Sequence, residues 1–153
     1  ELSHELDYVR WIVGEVKSVF AQVGHLSDLE IDVEDTANIF LKFRNGSFGN
    51  IHLNMVQQAP SRTCKVIGVD GVIDWNGIDH SVEIYRATTG VRECLNNSKQ
   101  ESGNPMYERE LCHFFKSVAD RKKPTVGIDD GIRVLEVALA AKSSSETGRM
   151  VSV

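Results

Sequence analysis

The chain has 153 residues, 41% hydrophobic and 25% charged. These are the proportions of a globular domain with one core, and they exclude a disordered tail, a collagen-like repeat and a membrane protein. Its formal charge of -5 at pH 7, with both signs interspersed, leaves no basic stripe for nucleic acid or an anionic membrane. Three widely spaced cysteines, Cys64, Cys94 and Cys112, fit a reducing, cytoplasmic setting better than a disulfide framework.

The first element is an amphipathic helix already under way at the start of the chain. Ser3 suits its cap, Leu2, Leu6, Val9 and Val13 share one face, and Gly14 marks its end. A strand over 17–23 and an acidic connection over 27–35 follow. Residues 36–56 read as a hairpin around Asn45-Gly46, the pair favoured by a two-residue type I′ turn. Its strands carry two alternating sets. Ile39, Leu41, Phe43, Ile51, Leu53 and Met55 form an apolar set. The set opposite, Asn38, Phe40, Lys42, Asn50, His52 and Asn54, resembles an interface if it shares a face with Trp75 or Tyr85.

A second hairpin over 62–75, turning at Val69-Asp70-Gly71, and one further strand over 80–87 bring the expected total to about six, mostly antiparallel. Residues 88–104 turn polar and read as a surface loop. Asn104-Pro105 opens a helix to about Arg121 with Leu111, Phe114, Phe115 and Val118 as its stripe. A last helix from Asp129 or Asp130 carries Ile132, Leu135 and Leu139 inward beside Ala138, Ala140 and Ala141. It ends at Gly148, and residues 149–153 add an edge strand. The expected architecture is α+β, one domain over 1–153: an open, mostly antiparallel sheet with helices packed on one face. The other face is free to pair with another subunit.

Few residues carry chemistry. His4 and Asp7, three apart in the first helical turns, lie on one face and can reach the same ligand. An imidazole there exchanges protons near neutral pH, and the free N–H groups of a helix start favour its neutral form. Taken without context, such a histidine is more often a cap or packing residue than a catalyst, and Asp7 more often a partner for a neighbouring backbone group or Arg10 than an acid. The remaining histidines, His25, His52, His80 and His113, lack ligand spacing, so no metal is expected. Gly68-Val69-Asp70-Gly71 lies between strands with no helix after it, so it is a turn and not a phosphate cradle. Neither G-x-G-x-x-G nor G-x-S-x-G occurs, so no cofactor site is expected within the chain.

The blocks "SHELDYVRWIVGEVKSVFA", "EDTANIFLKFRNGSFGNIHLN", "RTCKVIGVDGVIDW", "YERELCHFFKSV" and "PTVGIDDGIRVLEVALAAKSSSETGRMVSV", in this order, resemble the C-terminal domain of the Gfo/Idh/MocA oxidoreductases. That family includes glucose-fructose oxidoreductase and inositol dehydrogenases. The resemblance implies an NAD(P)-dependent enzyme acting on a sugar or polyol. It also implies an N-terminal Rossmann domain that would bind the NAD or NADP and supply a lysine, and a homodimer or tetramer formed through the open sheet. The chain would then be the second part of the enzyme, inactive alone.

The family's acidic residue, histidine and following aspartate map onto this sequence as Glu1, His4 and Asp7. Either Glu1 takes the acidic role in a shifted spacing, or that residue lies before the observed start. His4 would be the general base, and Asp7 would support it or contact substrate. Arg62 and Tyr107 are further pocket or interdomain candidates. The alternative is a non-catalytic ligand-binding or dimerisation module that uses the same fold.

Overall fold

The computed structural model describes residues 3–96 and 104–153. In chain order the elements are α1 (Ser3–Val13), β1 (Val16–Gly24), β2 (Thr36–Phe43), β3 (Phe48–Asn54), β4 (Thr63–Gly68), β5 (Gly71–Asn76), β6 (Ser81–Arg86), β7 (Val91–Asn96), α2 (Pro105–Ala119), α3 (Ile128–Thr147) and β8 (Val151–Ser152). The class is α+β, as expected. The eight strands found among the described residues exceed the expected six and form two sheets, ordered β3-β2-β1-β8 and β4-β5-β6-β7. The chain divides into two compact units, Glu1–Val56 with Ser117–Val153, and Gln57–Lys116.

In the first unit, alternation along the hairpin decides the buried face. Ile39, Leu41, Phe43 and Ile51 point inward and join Val16, Val19 and Ala21 of β1, because successive strand residues face opposite sides. Helix α3 covers this face with Val134, Val137, Ala140, Ala141 and Ser144. This is a different stripe from the expected one: Ile132, Leu135 and Leu139 are at least half exposed. The helix is apolar on two flanks, and the flank with the smaller side chains is the one that lies on the sheet. Helix α1 meets the core through Leu6, with Val9 and Val13 beside it. Ser3, expected as its cap, is already helical, and Gly14 ends the helix at φ 119, its N–H bonded to the Arg10 carbonyl at 2.9 Å.

β8 pairs with β1 only at Ser18–Ser152 and Val19–Val151, which leaves the rest of that edge without a strand. Two hydroxyls of α3 complete it. Ser144 Oγ accepts from the Ala21 N–H at 2.9 Å and donates to the Arg149 carbonyl at 2.6 Å. Ser145 Oγ accepts from the Val23 N–H at 2.9 Å and donates to the Val23 carbonyl at 3.1 Å. Buried backbone groups need such partners. Gly148 closes α3 in the left-handed region at φ 64.

The hairpin turn differs from the expected type. Gly46 is at φ 92, but Asn45 is not among the positive-φ residues. The bonds Gly46 N–H to Phe43 O (3.1 Å) and Phe43 N–H to Ser47 O (2.9 Å) define a three-residue loop with glycine last. Asn45 instead uses its side chain. It donates to the Val13 carbonyl at 2.8 Å and accepts from the Ser47 N–H and hydroxyl at 3.0 and 2.6 Å, which joins the hairpin to the end of α1.

Asp35 organises the connection before β2. Fully buried, its carboxylate accepts from the Ser27 hydroxyl (2.6 Å), the Leu26 and Ser27 N–H groups (3.0 and 2.9 Å) and the Thr36 hydroxyl (2.9 Å). These bonds, that from Ser27 Oγ foremost, hold its pKa well below the ordinary carboxylate value.

The second unit is a four-stranded antiparallel meander. β7 lies in the stretch expected to be loop and pairs with β6 from Arg86–Val91 to Ser81–Asn96. Pairing with a neighbour overrides the polar composition, helped by the Arg92–Glu83 ion pair and by Arg92 over the Tyr85 ring at 5.3 Å. The rest of that expected loop, up to residue 103, lies outside the described residues. Trp75 and Tyr85 belong to this sheet, on β5 and β6, and not to the face of Phe40 and His52. Helix α2 forms where expected, but Leu111, Phe114, Phe115 and Val118 are exposed, so its stripe is not buried as anticipated.

Two outcomes follow from these bonds. Ser144→Ala leaves the Ala21 N–H and the Arg149 carbonyl without this partner and should cost about 2 kcal/mol in urea unfolding. For Asp35, a folded pKa below the unfolded value near 3.8 means that its contribution is complete above that value and is lost as pH falls through it towards the folded pKa. The melting temperature should therefore drop more steeply below about pH 4 in the parent than in Asp35→Asn.

Candidate functional site

Helical spacing presents His4 and Asp7 on one side of α1, and the structure brings both to a cleft of about 350 Å³ within the first unit. Ser3 completes this wall. The facing wall is Val126, just ahead of the Gly127 cap of α3, and then Gly131, Val134, Leu135 and Ala138 on one side of that helix. His4 is exposed and Asp7 half-buried. A ligand there meets an imidazole and a carboxylate on one side and hydrocarbon on the other, the arrangement of a small-molecule site in which few polar groups fix orientation.

Arg10, one turn beyond Asp7, has a side chain only 11% exposed and three carboxylates around it. Its Nη2 donates to Asp130 Oδ1 at 2.7 Å, its Nε lies 3.1 Å from both oxygens of Glu15, and its Nη1 is 3.7 Å from Asp7 Oδ1. Asp130 Oδ2 accepts from the Gly127 N–H at 3.0 Å, which caps the start of α3. Asp130 raises the Arg10 pKa, and Arg10, with the Gly127 N–H second, lowers that of Asp130.

The expected Asp7–Arg10 contact is thus present, at ion-pair distance. Asp130 was missed as a site-related residue. Its spacing three after Gly127 was a usable signal for a cap, but nothing local pointed to Arg10. Glu1 lies outside the described residues. Arg62 and Tyr107 belong to the second unit, where the Arg62 guanidinium stacks over Trp75 at 5.5 Å and Tyr107 is exposed on the first turn of α2.

Of the other histidines, His52 is held on the exposed sheet face between Asn38 Oδ1 at 2.8 Å and Asn54 Nδ2 at 3.0 Å. His25 lies 3.8 Å from Asp35. Among the described residues no three His, Cys, Asp or Glu side chains cluster as metal ligands would, and no helix is long and apolar enough to cross a membrane.

Comparison with known proteins extends this picture. The model of the C-terminal alpha/beta domain of an oxidoreductase family matches residues 1–153. An uncharacterized oxidoreductase, YrbE, of Bacillus subtilis (strain 168) is 27% identical over 156 residues, covering 98% of this chain and 46% of that protein. Among solved structures, levoglucosan dehydrogenase in complex with NADH superposes with a TM-score of 0.89 at 18% identity, over 99% of this chain and 48% of that one. Aldose-aldose oxidoreductase from Caulobacter crescentus, complexed with glycerol, gives 0.82 at 22% identity, over 99% and 45%. At such identities the structural likeness concerns the fold. The chain spans about half the length of each of these proteins.

Proposed function

The chain belongs to the Gfo/Idh/MocA oxidoreductases, as their C-terminal alpha/beta domain, and on that premise we propose that it forms the substrate side of an NAD(P)-dependent dehydrogenase that oxidises a carbinol of a sugar, sugar derivative or polyol. The observation that carries this reading is the juxtaposition of His4 and Asp7 on one wall of a cleft. His4 receives the hydrogen bond of the reacting hydroxyl and takes up its proton as a general base. Asp7 stands one turn along, held near Arg10, and gives a polyol a second hydrogen-bond acceptor. The apolar side chains opposite, Val134, Leu135 and Ala138, suit the C–H face of a sugar ring.

In this reading the glycine-rich turn of this chain is not a dinucleotide site. The glycine pair Gly68 and Gly71 closes the β4–β5 hairpin, and a Cβ on Gly71 would stand 1.9 Å from the Tyr85 carbonyl oxygen. A phosphate has no helix start there to rest on. The nicotinamide nucleotide, which supplies the hydride acceptor, therefore belongs to the remainder of the whole protein in this reading, with a Rossmann domain to hold it. The solved relatives named with NADH support that assignment. A cytoplasmic, reducing location is in keeping with the thiols Cys64, Cys94 and Cys112, none of which is in a disulfide.

The exposed face of β1, β2 and β3 takes a second copy of the chain, giving a dimer or a tetramer. Phe20 and Phe40 are directly paired there, Phe48 stands beside Lys42 on the same face, and Phe40 and Phe48 are 60% and 81% exposed.

The test of the reaction is reduction of NAD and NADP by the whole protein against a panel of sugars and polyols. His4→Ala should lower kcat about 100-fold or more while the protein remains folded; turnover indifferent to His4 removes it from the chemistry. The chain alone is expected to reduce neither nucleotide. Phe40→Asp should convert the assembly to monomers by light scattering, and an unchanged mass would exclude this face as the contact.

A further inference from the structure

The Arg10 guanidinium does not line the cleft. Its three nitrogens go to three different carboxylates, and two of those contacts border the cleft walls. On the α1 side it lies 3.7 Å from Asp7, itself a wall residue. On the α3 side it bonds Asp130 at 2.7 Å, the residue immediately before the wall residue Gly131. The second oxygen of Asp130 holds the N–H of Gly127 at 3.0 Å, the residue immediately after the wall residue Val126. One charge thus contacts groups on or beside both walls. A pair that merely tied two helices together would need only one of these contacts.

We propose that Arg10, acting with Asp130, is a positioning residue for His4 and Asp7: it fixes the first turns of α1 against the start of α3 and so holds His4 where the reacting hydroxyl must lie. The inference rests on the assignment of His4 to the reaction. Misplacing a catalytic group by an ångström costs up to about 100-fold in rate, so the effect is measurable without loss of the fold. Lysine does not replace arginine here, because a single ammonium cannot address three carboxylates in the fork geometry that Nε, Nη1 and Nη2 provide.

The experiment uses the whole protein with Arg10→Ala, Arg10→Lys, Asp130→Asn, His4→Ala and the double variant of Arg10→Ala with His4→Ala. Val137→Ala, a core change at a residue that does not itself line the cleft, serves as a destabilised control. Arg10→Ala should lower kcat by about 10- to 100-fold with KM changed much less, Asp130→Asn should share the loss, and Arg10→Lys should not rescue it. The double variant should be no slower than His4→Ala alone, because Arg10 acts through His4.

Full rescue by Arg10→Lys, losses that multiply in the double variant, or a loss no greater than that of an equally destabilised Val137→Ala would each overturn the proposal. If His4→Ala leaves turnover intact, the reaction assignment fails. The positioning then stands or falls on the His4 imidazole Cε1–H resonance, read by NMR. A shift in Arg10→Ala or Asp130→Asn that Val137→Ala does not produce upholds it, and an unmoved resonance overturns it.

Discussion

Packing of α3 along β1 is the contact on which the first unit depends. Val134, Val137, Ala140 and Ala141 bury against Val19, Ala21, Leu41 and their neighbours. Alanines in that stripe let the helix backbone approach the sheet closely enough for Ser144 and Ser145 to bond the backbone of β1 directly. Bulky side chains there would have kept the hydroxyls out of reach. The same close approach explains why a two-residue β8 suffices as an edge, since the helix supplies the bonds that a longer strand would have made.

Once α3 is seated, α1 has a surface to lie on. Leu6, Val9 and Val13 give it an apolar footing, and Arg10 gives it a direction. Hydrophobic contact is tolerant of small slides and rotations, whereas a guanidinium shared between Asp130, Glu15 and Asp7 has one satisfactory geometry. Removing such a group from water is costly unless its donors are occupied, so the arrangement forms nearly complete or not at all. That is the physical basis for a cleft of defined width between two helices that meet over only a few residues.

The second unit uses different physics. Its four strands are joined by cross-strand pairs, among them Cys64 with Trp75, Val82 with Trp75, and Arg92 with Tyr85. Both tryptophan and tyrosine lie under guanidinium groups. Side chains of β4, β5 and β6 are half-buried or exposed and none is fully buried. A meander of this kind depends on pairing and on tight turns, with Gly71 pressed against the Tyr85 backbone, more than on a sealed core.

Read by itself, the sequence determined what is decided within a few residues. The stripe of α1 and its stop at Gly14, the alternation that buries Ile39, Leu41 and Phe43, the end of α3 at Gly148 and the shared face of His4 and Asp7 all follow from local periodicity and backbone preference. Tertiary structure decided what depends on a distant surface. Of the two apolar flanks of α3, only the sheet selects the Val134–Val137–Ala141 side. The Asn45–Gly46 loop takes its form partly from the Val13 carbonyl it reaches. β7 forms because β6 lies beside it. The Arg10–Asp130 bond joins residues 120 apart in the chain, and no spacing rule carries over that distance: each side chain has several possible partners until packing brings one of them within hydrogen-bond reach.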